Sequence, residues 1–204
     1  MLSAIGRQWI TLSFDMSHED SDEALMLRYQ AGDAAAFDEL YARHRSALFR
    51  FILRQCQTRG RAEELFQDVW MNLIQAKARY RVEAKFRTYL YTLAHNKVID
   101  HFRSHAHLKV VEYDADDDTA GLEEIAGSRI EEPQVQAQSR QQGAAILRLL
   151  QALPAEQREA FLLHQEGGLS VEQIAEASGC TFEAAKSRLR YAVAKLREGL
   201  QEYA

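Results

Sequence analysis

Between Ala62 and Tyr80 the chain reads AEELFQDVWMNLIQAKARY, in which Leu65, Phe66, Val69, Trp70, Leu73 and Ile74 recur at i, i+4 and i+8. That spacing gathers them on one side of a helix and would scatter them over both faces of a strand. A stripe so wide and apolar must be covered. Phe37, Leu40, Tyr41, Leu48, Phe51 and Ile52 repeat the pattern within DAAAFDELYARHRSALFRFILRQC, and a third helix is expected from about Phe86 to Arg103. No alternating strand pattern interrupts residues 21–106, so three or so packed helices form a first domain. With 204 residues and 47% hydrophobic content, the chain can fill one large core or two small ones.

Beyond residue 106 the rhythm stops. Residues 107–139 hold 2 basic and 9 acidic residues, with Gly121, Gly127 and Pro133 among them, and read as an acidic, solvated linker. Its DADDD cluster is either a loop extended by self-repulsion or an anionic decoy that shields basic surfaces elsewhere. Residues 22–106 carry 14 basic and 10 acidic residues, and residues 140–204 carry 8 of each. The formal net charge of −5 therefore belongs largely to the middle and misleads about partners. Residues 1–20 share no pattern with the rest and are expected to form a disordered extension, with translation starting at Met1 or Met16. Arg7 and Gln8 interrupt the apolar run that a secretory segment needs, and no run of 18 apolar residues spans a membrane. A cytoplasmic location without membrane insertion is expected.

Helical signals return over residues 140–204. Pro154 suits a first helical turn, and Gly167 with Gly168 ends that helix. Ser170 and Gln173 have capping-box spacing; Gly179 permits a left-handed turn, and Thr181 caps the last helix. The fold class is therefore all-α: two small helical domains joined by an acidic linker. Two short helices about a glycine turn, the second one basic, have the form of a helix-turn-helix. Residues 178–197 carry Lys186, Arg188, Arg190, Lys195 and Arg197 against Glu183 alone. On a helical wheel Phe182, Ala185, Leu189, Val193 and Leu196 form the buried face, and Ala184, Ser187 and Tyr191 centre the open one. Small central residues flanked by cations suit a major groove, with phosphates on either side.

The stretch KFRTYLYTLAHNKVIDHFRS, residues 85–104, mixes aromatic and basic residues. Phe86, Leu90, Leu93, Val98 and Phe102 can serve the core. Tyr89 and Tyr91, with Arg87, Asn96, Lys97 and Arg103, offer stacking faces and phosphate partners for an unpaired base.

Taken in order, AEELFQDVWMNLIQA, YRVEAKFRTYLYTLAHNKVIDHFR, the acidic linker and LSVEQIAEASGCTFEAAKSRLRYAVAKLR resemble the extracytoplasmic-function group of bacterial sigma-70 factors. The resemblance runs over about residues 22–200. It implies a dissociable specificity subunit, region 2 over residues 21–106 and region 4 over 140–204. Glu64, Gln67 and Asp68 match the segment that docks on the clamp helices of the largest subunit of core RNA polymerase, and the flap is a second expected contact. RYRVEAKF, residues 79–86, matches the loop that pockets a base flipped from the −10 element. With it, Arg81, Lys85, Arg87, Tyr89, Asn96, Lys97 and Arg103 are the −10 candidates. Lys186, Ser187, Arg188, Arg190 and Tyr191 are the −35 candidates. Thr92 and Leu93 stand where housekeeping members carry a DNA-melting pair of tryptophans, a departure that the extracytoplasmic-function group shares. Promoter DNA and an anti-sigma factor are the other implied partners.

Three other readings stay open at this point. A helix-turn-helix regulator acting without polymerase would have no use for the Glu64–Gln67–Asp68 ridge. A sigma mimic acting as a binding module would not need Lys186, Arg188 and Arg190. An enzyme would have to use His95, His101, His105 and His107, of which His101 and His105 alone have the i, i+4 spacing of a helical metal pair. No HExxH or third ligand accompanies them, and Cys56 and Cys180 form no CxxC. No catalytic residue, metal or cofactor is expected.

Overall fold

The structure, a computed structural model, describes residues 20–56, 58–106 and 133–201. The expected N-terminal extension, apart from Asp20, and the DADDD cluster lie outside these residues. Every described element is helical: α1 (Asp22–Gln30), α2 (Ala34–Cys56), α3 (Arg59–Ala76), a 3₁₀ turn (Lys77–Arg79), α4 (Phe86–Ala106), α5 (Pro133–Ala152), α6 (Ala155–Gln165), α7 (Val171–Ala177) and α8 (Phe182–Gln201). α5 begins inside the stretch read as linker. Pro133 is its first residue, a position where proline costs no hydrogen bond because that N–H has no intrahelical acceptor.

The local signals of the C-terminal half hold. Ser170 and Gln173 form a reciprocal capping box, with N–H to side-chain oxygen distances of 3.3 and 2.9 Å. Thr181 Oγ1 accepts from the Ala184 N–H at 3.2 Å. Gly168 and Gly179 adopt φ of 63° and 62°, which residues with a Cβ disfavour.

α4 is started by a residue from far away in sequence. Glu23 Oε1, on α1, accepts from the Phe86 N–H at 2.8 Å. Beside it, Asp22 pairs with His44 Nε2 at 2.9 Å and Arg43 Nη1 at 3.1 Å. The His44 hydrogen bond, helped by Arg43, holds the Asp22 carboxyl below its ordinary value of 3.8 against the opposing effect of burial. Burial pushes Glu23 up, but the Phe86 amide and its other hydrogen bonds hold it below its ordinary 4.5. Both folded values are depressed, so their stabilisation is present above the ordinary values and lost as pH falls through the folded ones. Glu23→Ala should cost about 1 kcal/mol near neutrality, as loss of a helix cap does, and should flatten the acid side of the stability profile. Thermal melts from pH 7 down to about 2.5 check this: a variant as acid-sensitive as the native chain would exclude the Glu23 contribution.

The two halves pack into one continuous apolar core. α4 lies against α7, and α2 against α5 and α6. Tyr91 is fully enclosed there. Its ring meets Phe51 edge-on at 5.2 Å, and Gly167 covers it from the other half. This corrects the expectation that Tyr91 offers a stacking face; the second domain buries it. Phe102, expected in the core, is instead 43% exposed near the end of α4. Two polar clusters edge the contact. His95 Nδ1 lies 2.6 Å from Glu159 Oε1, and Glu166 pairs with Arg50 Nε at 2.7 Å and with Arg54.

Candidate nucleic-acid interface

The loop between the 3₁₀ turn and α4 is anchored before it can present anything. Gln30, the last residue of α1, donates from Nε2 to the carbonyls of Lys77, Ala78 and Tyr80 at 2.9, 3.1 and 3.2 Å. Tyr80 is buried, edge-on to Tyr89 at 5.3 Å and to Phe86 at 6.5 Å. Burial pushes its phenol up to about 12, and pushes that of Tyr89 upward too, so both rings stay neutral. Arg81, Val82 and Lys85 are left exposed on a loop tied down at both ends.

α4 divides the −10 candidates among three directions. Tyr89, Asn96 and Arg103 stand at i, i+7 and i+14 and share one face, with Asn96 and Arg103 exposed and Tyr89 half-buried. Lys97 turns toward α3 and lies 3.3 Å from Asp68. Arg87 turns the other way, 4.0 Å from Asp22, with its guanidinium over Gly168 of the C-terminal half. Three candidates therefore line one face of α4, with Tyr89 beside the loop, while Lys97 and Arg87 are held on other contacts.

On α3, Glu64, Gln67 and Asp68 are all exposed along one ridge. Met71, which the sequence pattern had not singled out, lies among them and is 50% exposed.

α8 rests on both α6 and α7. Its buried residues are Ala185, Ala192 and Leu196, with Leu189 and Val193 only partly covered. The two alanines let neighbouring helices approach closely, so the buried stripe lies to one side of the expected one. Phe182, expected inside, is 40% exposed with Lys186 Nζ 5.7 Å from its ring centre. Tyr191 is 53% exposed beneath the Arg190 guanidinium. Ser187 is half-buried, while Arg188 is held at 2.8 Å by Glu156 at the start of α6. The open face is consequently centred on Glu183, Ser187, Arg190 and Ala194, not on Ala184, Ser187 and Tyr191.

Both halves of the chain match known proteins. The family pattern for sigma-70 region 2 matches residues 40–107, and that for sigma-70 region 4 matches residues 143–196. The RNA polymerase sigma factor CarQ of Myxococcus xanthus is 30% identical over 177 residues, covering 87% of this chain and 96% of that protein. The chain belongs to the sigma-70 family. The extracytoplasmic-function (ECF) sigma factor SigM of Mycobacterium tuberculosis is 29% identical, over 91% of this chain and 87% of its own. The ECF sigma-E factor of Escherichia coli K12 is 26% identical, over 85% and 91%. These relatives place this sigma-70 chain in the ECF group. The fold agrees with that of CnrH in its complex with the cytosolic domain of CnrY, with a TM-score of 0.65, 22% identity and coverage of 91% and 100%. It also agrees with the sigma factor RpoE bound to the anti-sigma factor NepR from Bartonella quintana, with a TM-score of 0.62, 22% identity and coverage of 81% and 96%.

In this sigma-70 chain, region 2 takes in α2, α3 and α4, while α1 lies before the matched span. Gln30 and Glu23, which fix the loop and the start of α4, therefore belong to α1. No local signal marks either one, since their partners are some 50 and 63 positions away. Among the described residues no group of three or more His, Cys, Asp or Glu can hold a metal ion, and the His105 side chain is not among them. His101 faces Arg61 at 3.3 Å. Among the described residues no helix is long and apolar enough to cross a membrane.

Proposed function

We propose that this chain is an alternative sigma factor of the cytoplasm, which binds core RNA polymerase and directs it to a set of promoters. It contributes binding and positioning and no catalytic group. The observation that carries the reading is one polypeptide with two separate basic surfaces, on α4 and α8, plus the acidic ridge with Met71 on α3. A duplex-binding regulator acting alone has a use for α8 but none for that ridge. Tyr89, Asn96, Arg103 and the anchored Arg81–Lys85 loop receive the opened −10 strand, with Arg87 and Lys97 joining once their present contacts are released. α8 enters the −35 major groove with Lys186, Ser187, Arg190 and Tyr191, while Arg188 reaches phosphate after leaving Glu156.

The packed arrangement of the two halves holds α4 against α7. Engagement by polymerase separates the halves, so that each reaches its own promoter element. An anti-sigma factor controls the chain by binding it, as NepR binds RpoE.

In vitro transcription with purified core polymerase on a promoter pool tests the reading: specific transcripts should appear only when the chain is added. Asp68→Lys should weaken core binding by at least tenfold, since it reverses a charge on the ridge and frees Lys97. Normal assembly of that variant with core would remove the ridge from the interface. Duplex binding by holoenzyme should fall steeply with salt, because each phosphate contact releases counterions.

A further inference from the structure

α1 lies before the span matched by the region 2 pattern, yet it holds the loop between the 3₁₀ turn and α4 at both ends. At the entry, Gln30 Nε2 donates to the carbonyls of Lys77, Ala78 and Tyr80 at 2.9, 3.1 and 3.2 Å. A carboxamide has two N–H donors, so the three carbonyls share them. Ala78 and Tyr80 lie where a helical turn ends and leaves carbonyls without an intrahelical donor. At the exit, Glu23 Oε1 accepts from the Phe86 N–H at 2.8 Å. Glu23 and Gln30 stand at i and i+7, so they leave α1 on one face, with Cα atoms about 10 Å apart. Leu25, Met26 and Tyr29 are buried and fix α1 in the core, which makes the helix a rigid bracket. Between the two anchors Arg81, Val82, Glu83 and Lys85 are all exposed. Residues with so little packing take their shape from the anchors and from the Glu83 N–H to Arg81 carbonyl bond at 2.9 Å.

Resting on the reading of this loop as the receiver of the flipped −10 base, we propose that Gln30 is a positioning residue for that base, fixing the loop shape that separates one base from the others. It acts through the loop backbone and not by touching DNA. Discrimination requires the loop's polar groups to sit within a fraction of an ångström of their place at the base edge. Removing the Gln30 amide frees the Lys77–Tyr80 carbonyls, and the exposed residues that follow shift with them. The Tyr80 ring keeps its contacts with Tyr89 and Phe86, so the surface that receives the strand persists while its selectivity is lost.

A Gln30 that merely stabilised the turn would carry no sequence information, which separates the two roles. Holoenzyme is assembled from core polymerase and the full chain, native, Gln30→Leu, Gln30→Glu or Ile52→Val. Leucine keeps the bulk and loses the donors; glutamate keeps the length and turns acceptors on the carbonyls. Ile52→Val trims a buried side chain of α2 and lowers stability by another route. Each is used to select from promoter fragments randomised across the −10 and −35 elements, and the free chains are melted in parallel. The native holoenzyme should prefer one base at one −10 position by about tenfold or more. Both Gln30 variants should accept all four bases there to within about threefold, with −35 preferences and core affinity unchanged. Ile52→Val should melt lower and keep the native profile. Retention of the native −10 profile by Gln30→Leu, or an equal flattening by Ile52→Val, would overturn the assignment. A native holoenzyme without preference anywhere in the −10 element would remove the reading of the loop itself, which is a different result.

Discussion

Glu166→Lys should open the free chain into two separated helical units without unfolding either. The Glu166 side chain is 6% exposed and is shared by Arg50 and Arg54, both on α2. Burial and the nearby Arg50 charge press the Arg54 guanidinium toward losing its proton, so the carboxylate is what makes that placement tolerable. Lysine would put a third cation there. Breaking a buried pair in this way costs on the order of 3 kcal/mol, somewhat discounted because both arginines keep some solvent. The cost falls on the contact between the halves, while Leu40, Val69 and Leu73 in one and Leu162 and Ile174 in the other stay packed locally. Small-angle scattering should show a larger radius of gyration, with the helical circular dichroism unchanged. Adding Arg54→Glu should restore compaction in part. Because a closed form lowers the apparent affinity for polymerase by the fraction that is open, the opened variant should also bind core more tightly. A radius of gyration equal to that of the native chain would dismiss the latch.

Much of the secondary structure was legible because its signals are local. The Ser170–Gln173 box, the turn at Gly179 and the Thr181 cap each involve residues within about four positions, where side chain and backbone meet as soon as the helix forms. The start of α5 is not legible, because a proline and a run of polar residues look alike in a linker and in a first helical turn. The site was legible as a list of residue types and far less as a geometry. Tyr89 and Tyr91 look equivalent in sequence, yet one lines the loop and the other is enclosed by Gly167, about 76 positions away. The α8 wheel was turned by a similar cause. Periodicity ranks Phe182 above Ala185 as a core residue, whereas two helices crossing at close range select the small side chains and leave the ring outside. Glu159 and Glu166 carried no signal at all, because their partners His95, Arg50 and Arg54 sit 64, 116 and 112 positions away.

Gly167→Ala is the second large effect, and its cause is shape where that of Glu166 is charge. A Cβ at this position would lie 2.6 Å from the Leu163 carbonyl oxygen, 2.7 Å from Leu169 Cδ1 and 3.2 Å from Tyr91 Cζ. The first of these is backbone and cannot rotate away; relieving it means moving the end of α6 and, with it, Glu166 next door. The third is the ring that joins the halves. Overpacking of this kind costs about 1–3 kcal/mol, which for a chain of this length lowers the melting temperature by roughly 2–4 °C per kcal/mol. Gly199→Ala supplies the control. Its Cβ would come closer still, to 2.4 Å, but to a methyl of Leu149, the far end of a side chain that can change rotamer. If nearness alone mattered, Gly199→Ala would be the worse variant. Because the nature of the neighbour decides, Gly167→Ala should melt several degrees lower than Gly199→Ala and lose compaction, while the latter stays close to the native chain. Calorimetry with scattering on the same samples would reverse the ranking if the interface yields as easily as a leucine rotamer.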